Sequence, residues 1–317
     1  MVLEEQILRY YLSLFSFLIF IIYLLYIFNF KYLIPDKNIL TIDEGSSILR
    51  VNNLINENNN FIEKNLYYFS LRILNKFYKK INYGKFQLNE NHSFYAIYKI
   101  ISKKSNIDFK ITIIEGWQEF QLTNYLKLFF TDVEKISYSS FLADTYNVNS
   151  SIDFEDFMNF QKKNIKNFLM NFSENLILKK YGLEKILIIS SLVEKEGINI
   201  YDKALIASVI FNRLNKNMKL QIDATVIYSL TEGLFKLDRP LTYSDLRFKH
   251  PYNTYVINTL PPSMISIVSS GTIKIVLNSP KSDYFFYFYN VLEKKHIFSK
   301  NFNEHKKKLN EYRKINK

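Results

Sequence analysis

The chain contains no cysteine, which excludes disulfides, thiolate metal sites and cysteine nucleophiles on either side of a membrane. Histidine is almost as scarce. His92, His250, His296 and His305 are the only four in 317 residues, and none falls in an H-x-x-H or H-E-x-x-H spacing. A catalytic metal is therefore not expected, and no cofactor is implied. Glycine (7) and proline (6) are rare, and no Gly-rich phosphate loop, zinc spacing or RNP-like aromatic motif is present. What the chain has instead is apolar content of 48%, charged content of 23% and a formal charge of +12. That composition supports a sizeable core. The lysines are scattered, as expected from compositional drift, and the densest run, "EHKKKLNEYRK", reads as an exposed helix face. The charge is thus a solvated surface, with no nucleic-acid partner expected.

Residues 7–30, "ILRYYLSLFSFLIFIIYLLYIFNF", carry no charge after Arg9 for about 20 residues, enough to cross a hydrocarbon core of roughly 30 Å as a helix. Tyr10 and Tyr11 at one end and Tyr32 at the other suit the two interfaces. The run exceeds a signal-peptide core, and no small-x-small cleavage site follows, so an uncleaved anchor is expected. Glu4 and Glu5 before it and Lys31 and Lys37 after it leave the orientation open.

Beyond "IPDKN", "ILTIDEGSSILRVNNLI" reads as a strand, a turn at Gly45 and an amphipathic helix with Ile48, Val51, Leu54 and Ile55 on one stripe. "YYFSLRILNKFYKKI" is a second helix, and "YGKFQLNENHSFYAIYKIIS" repeats strand, polar turn and helix. "DFKITIIEGW" is a strand ending at Gly116. Helices then dominate, at about 118–130, 154–178, 182–196, 201–215 and 223–231. "SDYFFYFYNV" and "KKHIFS" are a strand pair, and "NFNEHKKKLNEYRK" is a closing helix. The class is α+β: an N-terminal transmembrane helix in 1–35, a small α+β module in 38–110, and a mainly helical part in 111–317 with a C-terminal β-hairpin.

"SSLVEKEGIN" (191–200) sets two glutamates at the end of an apolar run. On a helix from Leu183, Glu196 stacks above Leu192, Val193 and Ile189, while Glu194 projects about 200° away. Glu194 is then the surface residue and Glu196 the inward one, with Gly197 as a left-handed C-terminal cap. A carboxyl on an apolar stripe at the negative end of a helix resists ionisation, as a general acid requires. The plainer alternative is a glutamate paired with a nearby Lys or Arg.

Downstream, "ASVIFNRLNKNMKLQIDATVIYSL" (207–230) gathers Asn212, Arg213, Gln221, Asp223 and Thr225 around a helix–helix connection, with Asp223 at an N-cap position. "HPYNTYVINTLPPSMIS" (250–266) adds tyrosines, an asparagine and a rigid Pro261-Pro262 corner. Amide, hydroxyl and aromatic groups around one acid suit a sugar polymer. Each also has a plain structural use: Asp223 as a cap, Tyr252 and Tyr255 as packing, Arg213 as a counter-charge.

"SSLVEKEG", "VIFNRLNKNMKLQIDATVIY", "YNTYVINTLPPSMIS" and "KKHIFSKNFNEH", in this order, resemble the MltG/YceG-like endolytic murein transglycosylases, and "IIEGW" (113–117) is similar to that family's EGM/EGW step. The resemblance runs from the anchor to the end of the chain. It implies a LysM-like subdomain at 38–110 and a YceG-like catalytic domain at 111–317. It also implies a single-pass inner-membrane protein whose periplasmic domain cuts peptidoglycan glycan strands near wall synthases. The second glutamate of E-K-E, here Glu196, is the implied catalytic residue. Asn212, Arg213, Gln221, Asp223, Thr225, Tyr252, Asn253, Thr254 and Tyr255 are the implied substrate-pocket residues, and no metal is implied. "SSFLADTYNV" (139–148) departs from the family's E-G-x-L-F-P-D-T-Y, keeping only Asp144, Thr145 and Tyr146 of it.

Overall fold

The computed structural model describes residues 2–33, 38–56, 59–88, 92–130, 133 and 136–315. The segment 34–37, with Lys37, and the polar turn at 89–91 lie outside the described residues, as do the side chains of Glu4 and Tyr32. The chain divides into two compact units. One holds Met1–Ile111 with Asn147–Ile152, and the other holds Thr112–Tyr146 with Asp153–Lys317.

The first unit begins with α1 (Val2–Asn29). Its stretch Glu5–Asn29 is 25 residues long, with a mean hydropathy of 2.4 over its most apolar 18-residue window, long and apolar enough to cross a membrane. One side of the last turn of α1 is fastened to the unit: Ile27 is closed off, its carbonyl accepts from the Tyr67 hydroxyl at 3.0 Å, and Phe28 packs edge-on against Tyr67 and Phe94. Two short antiparallel pairs follow, β1 (Tyr32–Leu33) with β4 (His92–Ser93) and β2 (Ile39–Ile42) with β3 (Gly84–Gln87). Between and after them run α2 (Ile48–Ile55), α3 (Phe61–Phe77) and α4 (Phe94–Ile101). Each helix starts where an oxygen-bearing side chain, from Ser47, Asn60 or Ser93, accepts the N–H three residues on. Gly45, with φ of 74°, makes the turn between β2 and α2 in a region that side chains avoid. Period-two and helical burial converge on one core of Leu40, Val51, Tyr67, Leu71, Phe86 and Ile97.

The strands β5 (Asp108–Ile113), β6 (Leu142–Asn149) and β7 (Val268–Ser269) form a sheet in that order, with β6 parallel to β7. The segment lacking the family's E-G and proline is therefore strand β6, entered through a 3-10 turn at Tyr138–Ser140. In the second unit follow α5 (Glu119–Leu126), α6 (Phe154–Met170), α7 (Leu176–Tyr181), α8 (Leu183–Glu196), α9 (Ile200–Asn215), α10 (Asp223–Thr231) and α11 (Ser270–Leu277). The antiparallel strands β8 (Phe286–Asn290) and β9 (Lys295–Ser299) and helix α12 (Phe302–Ile315) complete it.

Two expectations are corrected. The helix read over 154–178 is two helices, because Asn175 turns its side chain onto the N–H groups of Ile177 and Leu178 and starts a new one. Helix α11 was not anticipated; Ser269 caps it, and it packs against α8 and α9. Phe86→Ala, which empties a fully buried ring position in the first unit, should cost about 3–5 kcal/mol, read as a lowered thermal midpoint.

Candidate active site

Helix α8 is surrounded. Every residue from Ile186 to Glu194 is buried, so it has no solvent face on which to leave a charge. Its serines adapt by returning their hydroxyls to the chain: Ser190 Oγ donates to Ile186 O and Ser191 Oγ to Ile188 O, while Ser191 Oγ also accepts from Ile265 N. Glu194, expected at the surface, is the reverse. Its side chain is 1% exposed, pairs with Lys203 Nζ, and accepts from both the N–H and the hydroxyl of Ser269 at 3.0 Å. The stripe argument assumed a helix with one wet side. Here α9 and α11 cover the far side, and α9 and β7 supply Lys203 and Ser269 as partners.

Gly197 ends the helix, but its φ of −82° and ψ of 132° are extended, not left-handed. The position needs glycine for space: a Cβ there would stand 2.3 Å from Lys203 Cγ and 3.1 Å from Lys203 Cα. The chain can therefore turn against the start of α9, where Asn199 caps the new helix through Asp202 N.

Glu196, the last residue of α8, is partly accessible, while its carboxyl sits among close neighbours. Burial pushes its pKa up to about 7, and the negative charge of Asp223 pushes the same way. Acting against these are the Tyr287 hydroxyl, which donates to Glu196 Oε2 at 3.3 Å, the Ala224 N–H and the Lys195 ammonium. Tyr287 lies on β8 and is itself raised well above the ordinary phenol range, by burial first and by Glu196 next. Asp223 is the first residue of α10 and not its cap, which is Ile222. The Tyr255 hydroxyl donates to Asp223 Oδ1 at 2.6 Å. Two tyrosine–carboxylate pairs thus lie close together, and their acids feel one another.

The remaining expected residues surround this site as framework. Asn212 Nδ2 donates to the carbonyls of Ser282 and Tyr284 at 2.8 and 2.9 Å. Arg213 donates to Phe285 O at 2.6 Å and to Lys219 O and Leu220 O at 3.1 and 2.7 Å, with its guanidinium over the Phe286 ring. Together they hold the approach to β8 and so set where Tyr287 stands. Thr225 and Thr254 share a 2.8 Å bond, and Thr254 Oγ1 accepts from Ile222 N, locking the 250–255 loop to the start of α10. Asn253 donates to Phe248 O and accepts from Tyr255 N, both within 2.9 Å. Gln221, in a left-handed conformation with φ of 52°, is exposed and donates its N–H to Thr254 O. Tyr252 packs on Tyr228 at 4.7 Å and bonds Ser263. Tyr287 escaped the sequence reading, because alternation marks its strand face but nothing local marks a partner 91 positions away. Among the described residues, no group of three or more His, Asp or Glu is arranged to hold a metal ion.

A model of the YceG-like family matches residues 40–311. The chain is 27% identical over 309 residues to the endolytic murein transglycosylase of Bacillus subtilis strain 168, covering 86% of this chain and 84% of that protein. It is 29% identical over 173 residues to the endolytic murein transglycosylase of Streptococcus pneumoniae serotype 2, covering 53% of this chain and 31% of that protein. The crystal structure of a YceG-like protein from Listeria monocytogenes superposes with a TM-score of 0.55 at 25% identity, over 85% of this chain and 98% of that one.

A carboxyl whose pKa rises on folding holds its proton more tightly in the folded state. Stability is then highest below the unfolded value of 4.5 and falls as pH rises through about 7. Glu196→Gln should accordingly melt above the wild type at pH 8, by up to about 3 kcal/mol, and the difference should close toward pH 4.5. Gly197→Ala should lower the melting temperature at every pH, because its Cβ displaces Lys203 from Glu194, at a cost of about 1–3 kcal/mol.

Proposed function

The chain belongs to the YceG-like family, and on that premise we propose that it is an endolytic lytic transglycosylase, a lyase of peptidoglycan, with Glu196 as its acid and base. The single observation that carries the assignment of Glu196 is its carboxyl at the end of α8, bonded by the Tyr287 hydroxyl and close enough to Asp223 that burial and that second charge push its pKa up to about 7. The names of the relatives supply the substrate class.

The protonated Glu196 donates to the oxygen bridging C1 of MurNAc and C4 of GlcNAc. The C1–O bond breaks, and GlcNAc leaves with a free 4-hydroxyl. The Glu196 carboxylate, steadied by the Tyr287 hydroxyl, then takes the proton of the MurNAc C6 hydroxyl as O6 closes on C1. A 1,6-anhydro end results, Glu196 regains its proton, and no water is consumed. One carboxylate serves both steps because the nucleophile belongs to the substrate, which gains from proximity. A hydrolase would need a second carboxylate to manage water. Asp223, bound by Tyr255, is the group in this pocket that could do so, which makes a muramidase the competing reading.

The finer organisation follows as part of the same proposal. Residues 1–35 form a single-pass inner-membrane anchor, 38–110 a LysM-like wall-binding subdomain, and 111–317 the YceG-like catalytic domain with its C-terminal hairpin. The apolar α1 supports the anchor. A peptidoglycan substrate requires the chain after it to face the periplasmic side, where strands are cut near the synthases that make them. Asn212, Arg213, Thr225, Asn253 and Thr254 shape the pocket from behind. Gln221, Asp223, Tyr252 and Tyr255 are the side chains offered to the glycan.

Digestion of purified glycan strands tests this reading. Wild-type products should carry ends lighter by one water than reducing ends, and the rate should fall as pH rises above about 7, where the acid loses its proton. Glu196→Gln should lose about 10²-fold or more. Fully hydrated ends would replace the lyase with a muramidase, and unchanged cleavage by Glu196→Gln would remove Glu196 from the chemistry.

A further inference from the structure

Helix α3 has two apolar sides. One, with Tyr67 and Leu71, is buried in the core of the first unit. The other, roughly a third of a turn round the helix, is open: Ile62 is 68% exposed, Phe69 57%, Ile73 59% and Phe77 76%. These four recur at spacings of seven, four and four, which is the period of a helix face. A soluble module does not ordinarily leave such a row of large apolar side chains uncovered.

Its position says what covers it. The Tyr67 hydroxyl holds Ile27 O at 3.0 Å, so the middle of α3 is fastened to the last turn of the apolar helix α1. Phe28 and Asn29 of that turn share one surface opening with Ser70 and Ile73 of α3. The exposed row therefore passes beside the end of the apolar span. Its charge agrees. Arg72, Lys76, Lys79 and Lys80 are exposed along and just beyond α3, whereas the one carboxylate of the helix, Glu63, is buried and paired with Lys31 at 2.5 Å. A basic helix with an aromatic-rich apolar side is the composition that lies in the plane of a membrane interface, about 5–10 Å into the headgroup boundary.

We propose that α3 is a second membrane contact, lying flat in the outer interface of the bilayer that α1 crosses, with Ile62, Phe69, Ile73 and Phe77 among the lipids and the basic residues at anionic headgroups. It rests on the anchor reading of α1 given above. With two points of attachment, the first unit has a fixed height and tilt at the membrane, where one helix alone would let it swing.

The absence of native cysteine makes the test direct. The full chain is reconstituted in phosphatidylethanolamine–phosphatidylglycerol vesicles as three single-cysteine variants, Phe17→Cys in α1 and Phe69→Cys and Ile73→Cys in α3, each carrying a polarity-sensitive fluorophore. The expected result is blue-shifted emission at all three. Lipids with a nitroxide near the headgroup should quench positions 69 and 73 most, and a nitroxide deep in the acyl chain should quench position 17 most, with aqueous iodide weak throughout. Iodide quenching at 69 and 73 with position 17 still lipid-quenched would overturn the contact and leave the anchor standing. Shielding of 69 and 73 from iodide and nitroxide alike would also overturn it, since the covering surface would then be protein. Iodide quenching at position 17 would instead remove the anchor itself.

Discussion

The site depends on the cost of leaving a negative charge where water cannot reach it. Helix α8 is enclosed along most of its length, and Glu196 is carried to its end, where burial is still felt by the carboxyl yet the residue is partly accessible. One turn deeper, no proton exchange with a substrate would be possible; fully outside, the group would ionise like any surface glutamate. The helix length, the extended turn at Gly197 and the early start of α9 together fix that depth. The same physics treats the neighbouring glutamate differently. Glu194 is more enclosed than Glu196, but Lys203 and Ser269 reach it and stabilise its charge. Glu194 is paired with the Lys203 ammonium and Glu196 is set beside a second acid, and on the proposed reading this difference separates a structural carboxylate from a reactive one.

How much of this could be read from the residues is clear from particular cases. The inward stripe of Glu196 was legible because Ile189, Leu192 and Val193 lie next to it in sequence, and helical geometry relates neighbours reliably. The burial of Glu194 was not, because it depends on Lys203 and Ser269, brought in by α9 and β7. Amphipathic reasoning presumes a wet side that a central helix lacks. Asn175 broke a long apolar pattern by a capping preference that a 25-residue window conceals. Tyr287 was invisible for the reason Glu194 was: its meaning lies in a partner from another element. In the first unit, where helix, turn and strand signals alternate at short range, α2, α4 and the strands β2 and β3 followed the residue pattern, whereas α3 starts at Phe61, six residues before the run read as helix, and the β2–β3 pairing was not read.

The two tyrosine–carboxylate pairs also show how one network of main-chain contacts serves the chemistry. Thr225, Thr254 and Asn253 join the 250–255 loop to α10 and so bring Tyr255 to Asp223. Asn212 and Arg213 join α9 to the start of β8 and so bring Tyr287 to Glu196. Each acid is thus met by a phenol whose position is set from behind, Tyr287 on strand β8 and Tyr255 on a loop fastened to α10, which favours a fixed geometry around the two carboxyls.

Asn212 and Arg213 grip carbonyl oxygens, not side chains, along 282–285. Every amino acid supplies the same carbonyl, so the route of that segment is insulated from its own spelling. The strand that delivers Tyr287 is thus held on its course through its approach's main chain, with Ser282 Oγ adding one side-chain tie, to Ser208 Oγ.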